Sequence, residues 1–365
     1  MSKPRILVTG ATGKTGAAVV EQLCAQGYPV RAMVRSRDAR SRSLEALGAE
    51  IVVADFFDPE QLSAAMRGVA RAYYCPPWHS YMTQSVAAFA VAAKEARLES
   101  IVALSQWLAS PSHPSLETRQ LWLMEKTLAM IPGTTLTIVN PGLFADSYLL
   151  FTKFAAQLGT FPMPVDGEGR NAPPSNEDIA RVVVAALIDP VKHAGKTYRP
   201  TGPKLLSVNE MTEILSRVLQ RKVRHVRMPL WMFYKAARML DTSVHSRASG
   251  YRHYVGDHDS GGFEFAAPTS HVFDVTGEQP EDFETVARRY AALPESKRTF
   301  GNEFRAFLNF MSVPFRPGFA PEQFDREQFH PAPAKPRLVM QDERWKAERA
   351  EIASTKVSVL KRAAL

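Results

Sequence analysis

An α/β fold is expected, built on a doubly wound parallel sheet with a smaller C-terminal subdomain and a C-terminal extension. Three observations predict it. Strand-like and helix-like segments alternate from residue 5 to residue 199. A glycine-rich turn, Gly10-Ala-Thr-Gly-Lys-Thr-Gly16, joins the first strand to the first helix. Beyond residue 203 the alternation gives way to other patterns. The expected divisions are therefore 1–203, a Rossmann-type domain, 204–294, a smaller substrate-binding subdomain, and 295–365, a proline-rich and helical extension.

The strands read in order as Arg5–Thr9, Val30–Val34, Glu50–Ala54, Ala70–Cys75, Ser100–Leu104, Leu136–Val139 and Thr197–Arg199, mostly short and β-branched-rich. Pro76-Pro77 stops the fourth and Pro141-Gly142 the sixth. Between them lie helical segments: Ala17 to Cys24 closed by Gly27, Ser43–Leu47 ended by Gly48, Pro59–Met66, 82–97, Leu116–Met130 and Asn176–Leu187. The last carries Glu177 and Asp178 in its first turn, where the helix dipole favours them. Ser207-Val-Asn-Glu210 matches a capping box and starts a helix to about Leu219. A basic strand, Lys222–Arg227, and an aromatic helix around Trp231, Phe233 and Tyr234 follow. Residues 241–262 are polar and read as a loop or lid; 312–336, dense in Pro and Phe, read as extended surface chain. The last 25 residues have helical composition with mixed charge.

The glycine turn points to a phosphate. Gly10 permits a tight turn, Gly13 lets backbone N–H groups approach an anion, and Gly16 lets the helix pack closely on its strand. Thr12, Lys14 and Thr15 complete the stretch. Where the second strand ends, a carboxylate would bind the ribose hydroxyl of NAD, whereas an arginine accepts the 2′-phosphate of NADP. Arg35 stands there, with Arg37 and Lys14 available to assist and no carboxylate before Asp38. NADP(H) is accordingly expected over NAD(H). Asp55-Phe56 follows the third strand, either at the adenine edge or as an ordinary turn aspartate. Cys75-Pro76 ends the fourth strand beside the expected cofactor path; no base adjacent in sequence activates the thiol.

Composition restricts the rest. At 45% apolar and 22% charged residues the chain is an ordinary globular protein rather than a disordered one. Two cysteines make no disulfide framework, and Met1-Ser-Lys-Pro-Arg5 leads into a strand rather than a signal-peptide core, so a reducing cytoplasm is expected. No apolar run reaches the ~18 residues that cross a bilayer, and no membrane partner is expected. Residues 335–365 hold eight Lys/Arg against four Asp/Glu and so contribute half of the formal charge of +8. No nucleic-acid-binding signature accompanies that charge, which reads as solvated surface. No residue cluster has metal-ligand spacing.

Thr9 with the glycine turn, Val34-Arg35, Asp55-Phe56, Ser105 at the end of the fifth strand and Asn140-Pro-Gly-Leu-Phe144 together resemble the NmrA-like branch of the atypical short-chain dehydrogenases/reductases. The resemblance spans roughly residues 4–290, with Ser175–Ala180 and Gly195–Gly202 also similar. It implies cofactor contacts at Ser105, Asn140, Pro141 and Gly142. It also implies one of two roles: an NADPH-dependent reductase of a small organic acceptor, or a non-catalytic NADP(H) sensor that regulates a partner. The wider superfamily uses a Tyr-x-x-x-Lys pair on the helix after the fifth strand, yet none of the ten tyrosines has lysine four residues on. The matching helix reads Trp122-Leu-Met-Glu-Lys126. Lys126 is then the candidate ribose contact and catalytic group, against an ordinary surface lysine as the alternative. Without the tyrosine, hydride transfer to a quinone, enone or imine-like acceptor needs chiefly positioning. An epimerase or dehydratase, which leans on that tyrosine, is the weaker expectation. The expected partner is a small molecule, held in a pocket drawn from Trp107, Phe144, Tyr148, Met228, Trp231 and Phe233. His79 and His113 follow strands four and five and are within reach of the cleft, and a homo-oligomer remains open.

Overall fold

The structure is a computed structural model. It describes residues 3–240 and 244–354, with side chains throughout except at 237–240 and 244–249. Six strands, β1 (Ile6–Val8), β2 (Val30–Val34), β3 (Glu50–Val53), β4 (Arg71–Tyr74), β5 (Ser100–Leu104) and β6 (Thr135–Val139), alternate with five helices. These are α1 (Lys14–Ala25), α2 (Ala39–Ala46), α3 (Pro59–Met66), α4 (Met82–Ala96) and α5 (Leu116–Leu128). Next come α6 (Ala145–Leu149), α7 (Thr152–Leu158), β7 (Thr160–Met163), β8 (Arg170–Asn171), α8 (Asn176–Ile188) and β9 (Thr197–Tyr198).

The main sheet has the order β3-β2-β1-β4-β5-β6-β9, and every adjacent pair is parallel. Ile6 of β1 faces Val30 on one side and Arg71 on the other, so the order reverses at β1. Both faces are covered, which is why the strands read as continuous apolar runs. Ile6 and Val8 point into a core with Val19, Val20 and Leu23 of α1 and Ile179, Val182 and Val183 of α8. Leu7, between them, joins the opposite core with Leu62 of α3, Phe89 of α4 and Met124 of α5.

The second unit has its own core around Tyr148, Phe161, Met211, Leu215, Phe283 and Val286. Its strands are β10 (Leu206–Ser207), antiparallel to β8, and β11 (Arg224–Arg227), parallel to β7. The capping box at Ser207 is present, with Ser207 Oγ accepting from the Glu210 N–H and Glu210 accepting from the Ser207 N–H.

Two readings of the sequence are corrected here. Residues 244–259 form a helix rather than a loop; residues 241–243 lie outside the described residues. Its polar residues are buried with distant partners: Asp257 with His113 at 2.7 Å, and His258 with the Tyr148 hydroxyl at 2.9 Å. The stretch 312–336 is interrupted by a short helix, Pro321–Glu327. The expected helical C-terminal extension is present, and it is part of the folded body: Val339 and Trp345, with Trp107, Leu108 and Phe263, form a buried apolar cluster. The helix Glu343–Ser354 carries Trp345; residues 355–365 lie outside the described residues.

Candidate functional site: a glycine turn beside an apolar cavity

Thr9 clamps the ends of β1 and β4. Its hydroxyl accepts from the Cys75 N–H at 2.9 Å and lies 3.2 Å from the Tyr73 carbonyl oxygen, to which it donates. The chain then turns at Gly10, whose φ of +60° suits glycine. A Cβ on Gly16 would sit 2.2 Å from the Gly10 carbonyl oxygen, so the close approach of α1 to the turn admits no side chain there. Gly13 is the N-cap of α1; no side chain caps the helix and no acidic residue occupies its first turn. The N–H groups and dipole of α1 are therefore directed at an incoming anion, where β1 separates β2 from β4. Thr15 faces inward and donates to Asn176 Oδ1 at 2.8 Å, tying α1 to α8. Thr12 is partly exposed at the turn. Lys14 reaches across to the second unit, 2.6 Å from Asp146 and 2.5 Å from the Tyr290 hydroxyl.

At the end of β2, Arg35 is exposed and makes no hydrogen bond or ion pair with the described residues. Arg37 is committed to Glu45 and to the Ile51 carbonyl. Asp55 accepts from the Phe57 N–H at 2.9 Å, the turn geometry of an aspartate, and its own N–H donates to Gln61. Phe56 meets Tyr74 edge-on. Cys75 packs against Gly10, and burial pushes its thiol up to about 11, with a Tyr73 hydrogen bond acting the other way. It is a packing residue, with Pro76 partly buried beside it.

At the ends of β5 and β6 the structure brings Glu125, rather than Lys126, to Ser105. Ser105 Oγ donates to Glu125 Oε1 at 2.5 Å. Burial raises the Glu125 carboxyl, opposed by the positive charge of Arg349 and by the Ser105 hydrogen bond. Lys126 is exposed, with its ammonium 5.5 Å from the Trp122 ring centroid. Asn140, with its amide oriented to satisfy both atoms, donates to the Tyr198 carbonyl and accepts from Arg349 Nη1 at 3.1 Å. Arg349 comes from the C-terminal helix and also donates to the Ala109 carbonyl. Pro141 is buried, its carbonyl accepting from the Trp107 N–H, and Gly142 lies against Phe263 and Asn171.

A cavity of about 400 Å³ opens in the second unit, walled by Leu143, Phe151, Met163, Phe233, Tyr251 and Tyr254, among others. Tyr290, the partner of Lys14, lines it on the side of the glycine turn. On the side of β5, Thr118 donates to the Tyr254 hydroxyl at 3.3 Å and accepts from Gln106. Lys153 and Glu295 are its charged residues; burial lowers the Lys153 ammonium, with Glu295 nearby acting the other way.

Of the six aromatic and methionine pocket candidates, only Phe233 lines this cavity. Trp107 is fully buried, sandwiched by Arg199 at 3.7 Å and by Trp345 edge-on at 5.5 Å. Tyr148 and Met228 belong to the second core, Phe144 packs on the first, and Trp231 is half-exposed with Lys235 over its ring. Their misplacement has one cause: an aromatic residue in a sequence satisfies core and cavity equally. His113 is likewise structural, accepting from the Ser115 N–H through Nδ1 and holding Asp257 through Nε2. His79 is exposed, accepting from the Tyr81 N–H. Reasoning from sequence passed over Glu125, Tyr254, Tyr290 and Arg349. The first stands in the helix that matches the Tyr-x-x-x-Lys position, one residue before Lys126, and no feature of the sequence marks which of the two meets Ser105.

A doubly wound sheet whose switch point carries an open helix N-terminus, flanked by an apolar cavity, defines a Rossmann-type protein with a built anion-receiving turn. The chain belongs to the NmrA-like family, whose sequence model matches residues 2–262. It is 35% identical over 226 residues to an NAD(P)H azoreductase of Xenophilus azovorans, covering 62% of this chain and 77% of that protein. Among solved structures it resembles an NADPH-dependent quinone oxidoreductase of Escherichia coli complexed with NADPH. That likeness has a TM-score of 0.66 at 21% identity and covers 78% of this chain and 99% of the other. It also resembles NmrA, a negative transcriptional regulator in complex with NADP, with a TM-score of 0.62 at 18% identity over 81% of this chain and all of that one.

Proposed function

We propose that the protein is an NADPH-dependent reductase that passes hydride to a flat, apolar organic acceptor such as a quinone, enone or imine-like compound. The observation that carries this reading is the continuity of the two sites. Tyr290 lines the cavity and bonds Lys14 of the glycine turn, so an acceptor in the cavity lies next to the dinucleotide cleft. The azoreductase relative, named for reduction of an organic acceptor, supports it.

The residues present fit a dinucleotide. Gly10, Gly13 and Gly16 keep the pyrophosphate cradle free of side chains, the α1 N-terminus faces it, and Arg35 is uncommitted at the 2′-phosphate position. When bound, such a cofactor supplies the hydride. The chain's own residues position and exclude water: Phe151, Phe233, Tyr251 and Tyr254 flatten the cavity walls. The Glu125–Ser105 pair holds a proton at the end of β5, where the superfamily tyrosine is missing. Ser105 and Glu125 do not line the cavity, so the proton that completes the reduction is taken from solvent.

The test is NADPH consumption by the pure protein across a panel of quinones, enones, azo compounds and imines, monitored by absorbance. Turnover of one or more apolar members is expected. Tight NADPH binding with no consumption across the panel would overturn the reading in favour of a redox sensor.

A further inference from the structure

The helix Phe300–Ser312 is inverted. Its inward face carries Ala306, followed by Val313 just past its end, while Phe300, Phe304, Phe307, Leu308 and Met311 all face solvent. At 100° per residue these five fall within one arc of about 100°. Phe300 is 84% exposed, and Phe315, one turn beyond, is 88% exposed. Trp231 adjoins the same end of the molecule, because Lys235 on its helix donates to the Pro314 carbonyl at 2.6 Å. A contiguous aromatic surface of this kind on a soluble domain marks a site of contact.

We propose that this face docks on an anionic lipid bilayer and that the cavity draws its apolar acceptor from that bilayer. The docking stands on the surface alone; the supply of acceptor rests on the reductase reading above.

The charges around the face select the occupant. Lys297, Arg305 and Arg316 border it, all exposed and without an ion pair among the described residues; Arg298 is paired with Glu303. Aromatic residues on one face with unpaired basic residues along the rim are the pattern of a helix lying in the headgroup region of an acidic membrane. A second copy of the chain fits less well, since a two-fold contact through this face would bring one basic rim against another. No helix among the described residues is long and apolar enough to cross a membrane, so the contact is one of lying on the surface.

The position of the helix links docking to the cavity. It packs on α7, which supplies Thr152 and Lys153 to the cavity wall. The segment leading into it supplies Leu293, Glu295 and Ser296 to the same wall, and Gln157 of α7 donates to the carbonyls of Glu295 and Lys297. The rim of the cavity and the base of the apolar helix are one connected unit.

The experiment is flotation of the full chain with vesicles of phosphatidylcholine alone and of phosphatidylcholine with phosphatidylglycerol. Partition onto the second kind, weakened by salt, is expected. The double variant Phe304→Glu/Phe307→Glu should lose it by at least about tenfold. Both side chains point outward, so its thermal unfolding and NADPH-induced thermal shift should match wild type. With a long-chain quinone held in the vesicles, the variant should lose rate; with a short-chain, water-soluble quinone it should not. No partition, or equal partition of wild type and variant, overturns the proposal. So does light scattering that shows a wild-type dimer dissociated by the variant, which assigns the face to a second copy. If wild type reduces neither quinone the reductase reading fails, and flotation still decides the docking.

Discussion

Arg35 and Arg37 stand two residues apart at the end of β2, and their side chains have different fates. Arg37 spends its guanidinium on Glu45 and a backbone carbonyl, whereas Arg35 is exposed and uncommitted. Arg35→Ala should therefore weaken NADPH binding about tenfold while leaving NADH binding near its original value, measured by fluorescence titration. Glu117 gives a second prediction at this scale. Its carboxyl, accepting from Ser115 Oγ at 3.1 Å, is pushed by burial from 4.5 up to about 7. A raised acid binds its proton more tightly when folded, so its contribution is fully present below about pH 4.5 and is lost as pH rises through about 7. Glu117→Gln should leave stability unchanged near pH 4. Near pH 8 it should raise stability by about 2–3 kcal/mol, read from urea melts at both values.

At the scale of elements, the C-terminal helix Glu343–Ser354 behaves as a missing piece of the first domain. Trp345 donates to the Trp107 carbonyl and Arg349 to that of Ala109, closing the ends of β5 and β6. Trp345→Ala should cost about 3–5 kcal/mol in denaturant unfolding, the range for emptying a buried aromatic site. A mere surface appendage would cost nothing. This element also marks how far the sequence could be read. The sheet strands were legible because burial on both faces leaves unbroken apolar runs, and the glycine turn because its spacing answers one steric demand. Trp345 and Arg349 lie on a helix otherwise dense in charge, which reads as solvated. The difference between Lys126 and Glu125 is one residue, or 100° of helix phase, and with the tyrosine absent nothing in the sequence fixes that phase. The helix Val244–Asp259 reads as a loop because its polar residues find partners more than a hundred residues away.

For the whole molecule, the two units meet through buried apolar packing, Phe263 against Trp107 and Leu108 and Val272 and Val275 in the first core, and through polar contacts around the cleft. Among the polar contacts, Lys14 leaves the glycine turn to meet Asp146 and Tyr290. That contact has a consequence for the order of events. Phosphates arriving at the α1 N-terminus compete with Asp146 for the same ammonium, and the Tyr290 hydroxyl, a wall of the cavity, is released when they win. On the reductase reading, the nucleotide resets the acceptor chamber. Steady-state kinetics should accordingly be ordered, nucleotide first, with product inhibition by NADP competitive against NADPH only. Lys14→Met should relax that order toward random addition, because the latch between the two chambers is then gone.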